Sequence, residues 1–434
     1  MIAFLKPALV FALYVTGIIV FFASLSGKVK WGLLFLVPLL PLQNVMDRLQ
    51  MFPMGKDLND LLMVGMVLGW FFIKATKKEV VFSKSAFNIL LFFYILYSFF
   101  TLIRGAFYLQ IPLTFNLQDP RVQNWKNFIF LPVLFFLILN NLRDKKELQR
   151  MLVFMCLSML IMDRTVIKEI SWMTSWISRD KLGGTFVWLG ANEVAAFYAT
   201  YTFVLIGLFF FLKDKRIKIL LGVLIALNLY CDLFAMSRGA YLATLVALLF
   251  IALARVRKLI FPILLVLLMW QTILPAKVME RIQYTDQGEG RLDDSAESRL
   301  IIWETSMQLF QESPIIGVGF NTLREMGMRD THNIYVKKLA EEGLLGLIFL
   351  LAIFLVAMRR SWRLYKTAHD DFLKGLGFGF CACVIAVMVG NFFGDRWTPL
   401  PLSAFFWVFL GMVERGNIIV DNNAKSKNKN NPAN

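Results

Sequence analysis

The chain has only two histidines, and their settings differ in everything that matters for proton transfer. His369 lies in Lys366-Thr-Ala-His369-Asp-Asp, a charged stretch between two apolar runs, and reads as solvated surface. His332 stands at the start of a stretch with helical spacing (Ile334, Leu339, Glu342) that leads directly into an apolar run. The N-terminus of a helix carries partial positive charge, which disfavours imidazolium and keeps a histidine neutral and able to accept a proton. His332 is therefore the candidate general base. The plainer role for such a residue is capping or packing.

A second group of residues is defined by its side of the membrane. About half of the 46 Lys and Arg fall in short segments between or after apolar runs, around Lys74–Lys84, Arg143–Arg150, Lys213–Lys218, Arg255–Lys258, Arg359–Lys374 and Arg415–Lys429. Their spacing fits the bias of Lys and Arg toward cytoplasmic loops, so these segments mark the cytoplasmic face. Cations that remain on the other face need a reason. They are Arg121 and Lys126 entering one helix, Arg164 and Lys168 leaving another, Arg179 and Lys181 in a loop, and Arg238 in a short turn. Arg291, Arg299 and Arg324 in one long loop complete the set. Any one of them can be explained by snorkelling or a surface ion pair. Arginine forks match phosphate oxygens, and as a set these residues suit a diphosphate or another anionic head group. The expected anion-binding residues are Arg238, Arg299, Arg121, Lys126 and Arg164.

Metal chemistry finds little support. Asp293, Asp294 and Glu297 in the long loop have no ligand-like arrangement with a histidine or cysteine. Cys156, Cys231, Cys381 and Cys383 all fall inside apolar runs, without a CxxC pair or a disulfide framework. The expectation is no metal and no cofactor, with arginines doing what a divalent ion does elsewhere. No Gly-x4-Gly-Lys-Ser/Thr nucleotide loop occurs.

The elements that position these groups are membrane spans. The chain is 58% hydrophobic and 18% charged with a mean hydropathy of +0.62, against about 45–50% and about 25% in soluble domains. Apolar runs of about 17–22 residues match a hydrocarbon core of roughly 30 Å. Backbone groups in lipid must be satisfied internally, and the alternation of a membrane barrel is absent, so helices are required. The expected fold is an all-α polytopic bundle of 12–13 spans with a cytoplasmic C-terminus. The net charge of +16 is a topology signal and not a nucleic-acid footprint. The first apolar run lacks a small-x-small exit and reads as a span, not a cleaved leader.

Residues 1–275 hold about ten spans, 276–342 form one large outer loop, 343–416 hold the C-terminal spans, and 417–434 form a polar tail expected to be disordered from Asn422. Near the N-terminus, Pro38 and Pro41 interrupt the second run, leaving either a span or a re-entrant piece. In the outer loop, Leu300, Ile301, Trp303, Met307 and Phe310 predict an amphipathic helix lying on the membrane surface, ended by Pro314. A second helix is expected to start at Asp330-Thr331, with one of them as N-cap.

Two stretches are similar to the O-antigen ligase and polysaccharide polymerase family. Ser237-Arg238-Gly239-Ala240-Tyr241-Leu242-Ala243 resembles its Ser-Arg-Gly-Ala-x-Leu-Ala signature. Gly317-Val318-Gly319-Phe320, then His332-Asn333-Ile334-Tyr335 and Glu341-Glu342-Gly343-Leu344-Leu345-Gly346, resembles its second block, with Val336 where Leu is common. Arg299 and Trp303 match a preceding Arg-x-x-x-Trp, and Gly190-Ala191-Asn192-Glu193 is more weakly similar. The motifs cover roughly residues 189–346.

The resemblance implies a GT-C-type glycosyltransferase of the bacterial inner membrane with its site on the periplasmic face. It would take a glycan from undecaprenyl diphosphate and pass it to a sugar hydroxyl, on lipid A-core for a ligase or on a second lipid-linked glycan for a polymerase. The family's catalytic histidine falls on His332, and its functional arginines fall on Arg238 and Arg299. A lipid-linked glycan flippase is the rival from another class. It would also want cations facing a diphosphate, but transporters generally carry internal repeats and midplane charges, whereas the distinctive residues here collect in one outer loop.

Overall fold

The computed structural model describes residues 7–114, 116–173, 176–273, 275–283, 294–328 and 330–430. Arg291 and Asp293 lie outside these residues, as do the side chains of Asp294 and Glu297.

Seventeen α-helices and no strand occur among the described residues. They are α1 (Pro7–Leu25), α2 (Val29–Leu39), α3 (Gln43–Leu49), α4 (Leu58–Thr76), α5 (Asn88–Leu109), α6 (Pro120–Asn141) and α7 (Lys145–Ser171). Next come α8 (Ala191–Phe211), α9 (Lys215–Phe234), α10 (Arg238–Ala254), α11 (Ile260–Ile273), α12 (Ala276–Gln283) and α13 (Asp294–Glu312). The last four are α14 (Thr322–Glu325), α15 (Ile334–Thr367), α16 (Asp371–Gly390) and α17 (Leu400–Asn430).

Nine of the described helices are long and apolar enough to cross a membrane, or ten if α2 and α3 count as one broken span. The protein is a multi-pass helical membrane protein. Three further helices stand where the sequence places spans but miss that strict test. α7 is long but carries charges at both ends, α10 has 17 residues and α11 has 14.

The N-terminal run interrupted by Pro38 and Pro41 forms the α2–α3 pair, whose helices meet at 113°, the geometry of a broken span or a re-entrant loop. Pro38 and Pro41 each lack an amide to donate, and a proline ring clashes with the preceding turn. Where the helix breaks, neighbours bond the prolines' own carbonyls: Ser158 donates its hydroxyl to Pro38 O at 2.6 Å, and Thr185 donates to Pro41 O at 2.8 Å.

Helix α8 is the centre of the bundle, with almost its whole span buried, and it packs on α16, α9 and α10. The chain reverses at each of these helices. The start of α8, the start of α10 and the end of α16 therefore share one end of the bundle. The basic segments at the end of α8, the start of α9, the end of α10 and the start of α16 share the other. Lys145 pairs with Asp370 at 2.7 Å, and Ser85 donates to Glu414 at 2.8 Å, which brings further cytoplasm-marked segments to that second end.

Helix α15 runs from the outer loop into the bundle with one break, at Gly343 (φ +65°, ψ −166°). The break removes the ordinary bonds from the amides of Leu344 and Leu345 to the carbonyls of Ala340 and Glu341. The Gly317–Phe320 loop replaces them. Val318 N donates to Ala340 O at 3.0 Å and Gly319 N to Glu341 O at 2.7 Å, while Leu344 N and Leu345 N donate to Pro314 O and Ile315 O at 2.9 and 3.2 Å. A side chain at 343 would meet the Ile315 backbone at 2.4 Å in a conformation that L-residues avoid, so only glycine fits. The two glycine motifs are thus halves of one joint.

One expectation is corrected. The helix after the outer loop is capped by Asn333, whose Oδ1 accepts from Tyr335 N and Val336 N at 3.0 and 3.3 Å, and not by Asp330 or Thr331. Helix α17 runs as far as Asn430, and Arg363 pairs with Asp421 on it at 2.7 Å. The helix expected in the outer loop is α13. Leu309 is buried, while Leu300 and Ile301 remain exposed, and the helix packs on α15.

Candidate active site

His332 is held by three elements. Just before it, Trp303 on α13 donates its indole N–H to the carbonyl of buried Thr331 at 2.7 Å. Just after it, Asn333 caps α15, and Ile334 N donates to Asn391 O at 3.0 Å at the end of α16. His332 itself has φ +51°, a left-handed conformation that is costly for a residue with a side chain and persists only when its surroundings over-determine it. The tethers on both sides supply that constraint.

Asn391 is the node that joins this loop to the α16–α17 turn. It is fully buried, and its Oδ1 accepts from Arg396 N at 3.0 Å. The turn is closed by Asp395, whose Oδ1 accepts from Trp397 N and Thr398 N at 3.1 and 2.8 Å. Its other oxygen pairs with Lys337 on the first turns of α15 at 2.9 Å. Burial alone would raise the Asp395 carboxyl, but Lys337 and the Thr398 bonds outweigh it and hold it at about 2.

The Arg396 side chain leaves this turn for the start of α8, where it pairs with Glu193. Glu193 also reaches back to accept from Gly190 N at 3.0 Å, which fixes the head of the helix. Beside it Asn192 accepts from Arg179 at 2.6 Å. A small crevice of about 10 Å³, room for about one water, lies here, lined by Asn192, Thr200, Ser237, Gly239, Phe393 and Arg396 among others. Arg238 is the first residue of α10, directly between two lining residues. A Cβ on Gly239 would lie 2.4 Å from Phe393, so this position lets α10 approach the α16–α17 turn.

The electrostatics favour a neutral imidazole. Burial lowers the His332 pKa below its usual value, and the positive charges of Arg299 and Arg396 lower it further; Asp330 and Glu193 act the other way. Asp330 Oδ2 lies 3.7 Å from Nδ1, and its Oδ1 accepts from the His332 amide at 3.2 Å. The helix-terminus argument from sequence reaches the same direction, but burial is the larger cause here. Arg299 sits one turn before Trp303 on α13, so the bond from Trp303 to the His332 loop also fixes the helix that carries Arg299.

The sequence-derived candidates therefore divide. His332 and Arg299 come together, and Arg238 lies at the crevice rim. Arg121 stands elsewhere, binding its own loop. It pairs with Asp119 at 2.7 Å and donates to Ile111 O and Pro112 O at 3.2 and 2.7 Å. The hydrogen bond from Arg121 holds Asp119 at about 2. Lys126 pairs with Asp60 and so links α6 to α4. Arg164 occupies an exposed position on α7, which packs on α2 and α9. Arg396 and Asn391 were not singled out from the sequence, Glu193 was named only within a weakly similar motif, and Asp330 only as a possible helix cap. The signal for Arg396 was present, as a cation in the short outer turn between the last two spans.

Among the described residues no group of three or more His, Cys, Asp or Glu could hold a metal ion. No curated protein matches this chain. Residues 221–351, the stretch from α9 into α15 that carries Arg238, Arg299, Trp303 and His332, match the family model described as O-antigen ligase.

Proposed function

We propose that this protein transfers a glycan from a lipid-linked diphosphate donor, undecaprenyl diphosphate in its bacterial form, to a sugar hydroxyl at the outer face of the inner membrane. The observation that carries the reading is a histidine kept neutral beside Arg299 and Arg396, within the stretch that matches the O-antigen ligase family. The acceptor oxygen attacks the anomeric carbon, and His332 takes its proton as the bond to the diphosphate breaks. General-base assistance of this kind is worth about 10²–10⁴-fold. Asp330 faces Nδ1 and would stabilise the imidazolium that forms, leaving Nε2 for the acceptor. The negative charge released on the lipid diphosphate is stabilised by Arg238 and Arg299, with Arg396 contributing from behind its pairing with Glu193.

Lipid A-core is the acceptor in the ligase form of this reaction, and a second lipid-linked glycan in the polymerase form. Lipopolysaccharide banding from a deletion strain complemented by this chain tests the proposal. Loss of all capped chains in the deletion, restored by the parent gene, supports a ligase. Single-repeat caps in the deletion would mean a polymerase. An unchanged ladder would overturn transfer altogether.

A further inference from the structure

At the end of the bundle opposite His332, an open cleft of about 460 Å³ is lined by Phe210, Phe211 and Leu212 at the end of α8, Lys213 and Lys218, Arg255, and Asp371 and Lys374 at the start of α16. Four cations thus face one carboxylate. That carboxylate, Asp371, pairs with Lys213 at 3.3 Å. The neighbouring acids are already engaged. Asp214 caps α9 by accepting from Arg216 N and Ile217 N at 2.8 and 3.1 Å. Asp370 caps α16 and pairs with Lys145. Lys218, Arg255 and Lys374 are left as uncompensated charge in one cleft.

The cations are also positioned against apolar surface. The Arg255 guanidinium lies 4.1 Å over the Phe211 ring, and the Lys218 ammonium lies 5.5 Å from the Phe209 ring. Elsewhere on the same two helices apolar side chains are exposed, Leu220 on α9 at 70% and Leu253 on α10 at 61%. Fixed positive charge above exposed apolar helix suits a ligand with an anionic head and acyl chains. Basic clefts between spans on the cytoplasmic side bind phospholipid head groups for this reason.

We propose that this cleft binds the phosphodiester head group of an anionic phospholipid of the surrounding bilayer, with Lys218, Arg255 and Lys374 on the phosphate and the acyl chains descending along α9 and α10. The site is separated from the transfer site by the length of α8 and does not depend on the transferase reading.

The test uses the purified full chain in neutral detergent, titrated with phosphatidylglycerol or phosphatidylcholine and read by native mass spectrometry. Phosphatidylglycerol should bind the parent more tightly than phosphatidylcholine. The double variant Lys218→Gln/Arg255→Gln should raise its Kd roughly 25-fold, about fivefold per charge removed. Lys374→Gln alone should raise it about fivefold, and Lys425→Gln in the tail should leave it unchanged. The single variant keeps the test decisive if the double variant folds poorly. Equal binding of the two lipids, or undiminished binding to both Lys374→Gln and the double variant, would overturn the proposal. Displacement of the lipid by inorganic phosphate, but not by chloride of equal ionic strength, would also overturn it, because the ligand would then be the free anion.

Discussion

Replacing Trp303 with Phe removes a single N–H while keeping an aromatic ring on α13. In the parent that N–H is donated to the Thr331 carbonyl at 2.7 Å, and Thr331 is 1% exposed, so water cannot replace the lost donor. An unsatisfied buried group costs about 1–3 kcal/mol. The next residue, His332, sits at φ +51°, a conformation that itself costs on the order of 1–3 kcal/mol. The tether and the strain are therefore comparable, and without the tether the loop should relax away from the geometry that aims the imidazole. At about 1.36 kcal/mol per tenfold, Trp303→Phe should lower kcat about 5- to 150-fold. The donor KM should change less, because Arg238 and Arg396 stand on other elements and are untouched. The assay is transfer by purified protein with separate determination of kcat and KM, alongside a thermal midpoint to detect any general loss of packing. A variant with parental kcat would refute the claim that this bond positions the base. A fall in Tm with proportional loss of folded protein, and normal kcat per folded molecule, would refute it equally.

Three further outcomes follow from the same geometry. The acid limb of the kcat/KM profile should fall below the ordinary imidazole value of about 6.5. Arg396→Gln, by removing a cation that lowers the His332 pKa, should move the limb up, whereas Glu193→Gln should move it down; shifts of the same sign would contradict the arrangement. Gly239→Ala places a methyl 2.4 Å from Phe393, where overpacking costs about 1–3 kcal/mol, and should reduce both Tm and transfer; full activity would show that the close approach is unimportant. Transfer should persist in excess EDTA, and loss that magnesium or manganese restores would refute the arginine-for-metal account.

Much of the fold was legible because lipid leaves the backbone few options. Apolar runs of spanning length and basic punctuation are enough to place α4 to α10 and α15 to α17 near their observed positions. The failures were local. Hydrophobic periodicity could not show that Asn333, and not Thr331, caps α15, since both are good capping residues two positions apart. In the site, His332 was conspicuous because a histidine at a helix start is chemically distinctive. Arg121 and Lys126 looked similar to Arg299 because sequence gives the side of the membrane but not the partner. Asp119 lies only two residues from Arg121, while Asp60 reaches Lys126 from a distant helix. Arg396 and Glu193 were obscured for the same reason, being 203 positions apart and joined only by folding.

The central claim is that His332 takes the acceptor proton, and His332→Ala tests it most directly when donor binding and transfer are measured on the same preparation. The side chain is only half-buried and makes no contribution to the spans, so the variant should insert and fold like the parent. It should bind lipid-linked donor with parental affinity, because the cations that face the diphosphate are intact. Transfer should fall by about 10²–10⁴-fold, His332→Gln should be nearly as impaired, and His369→Ala should behave like the parent. A His332→Ala protein that binds donor normally and transfers about 10²–10⁴-fold more slowly is the result the geometry predicts. One that transfers at the parental rate would contradict it and place the base elsewhere.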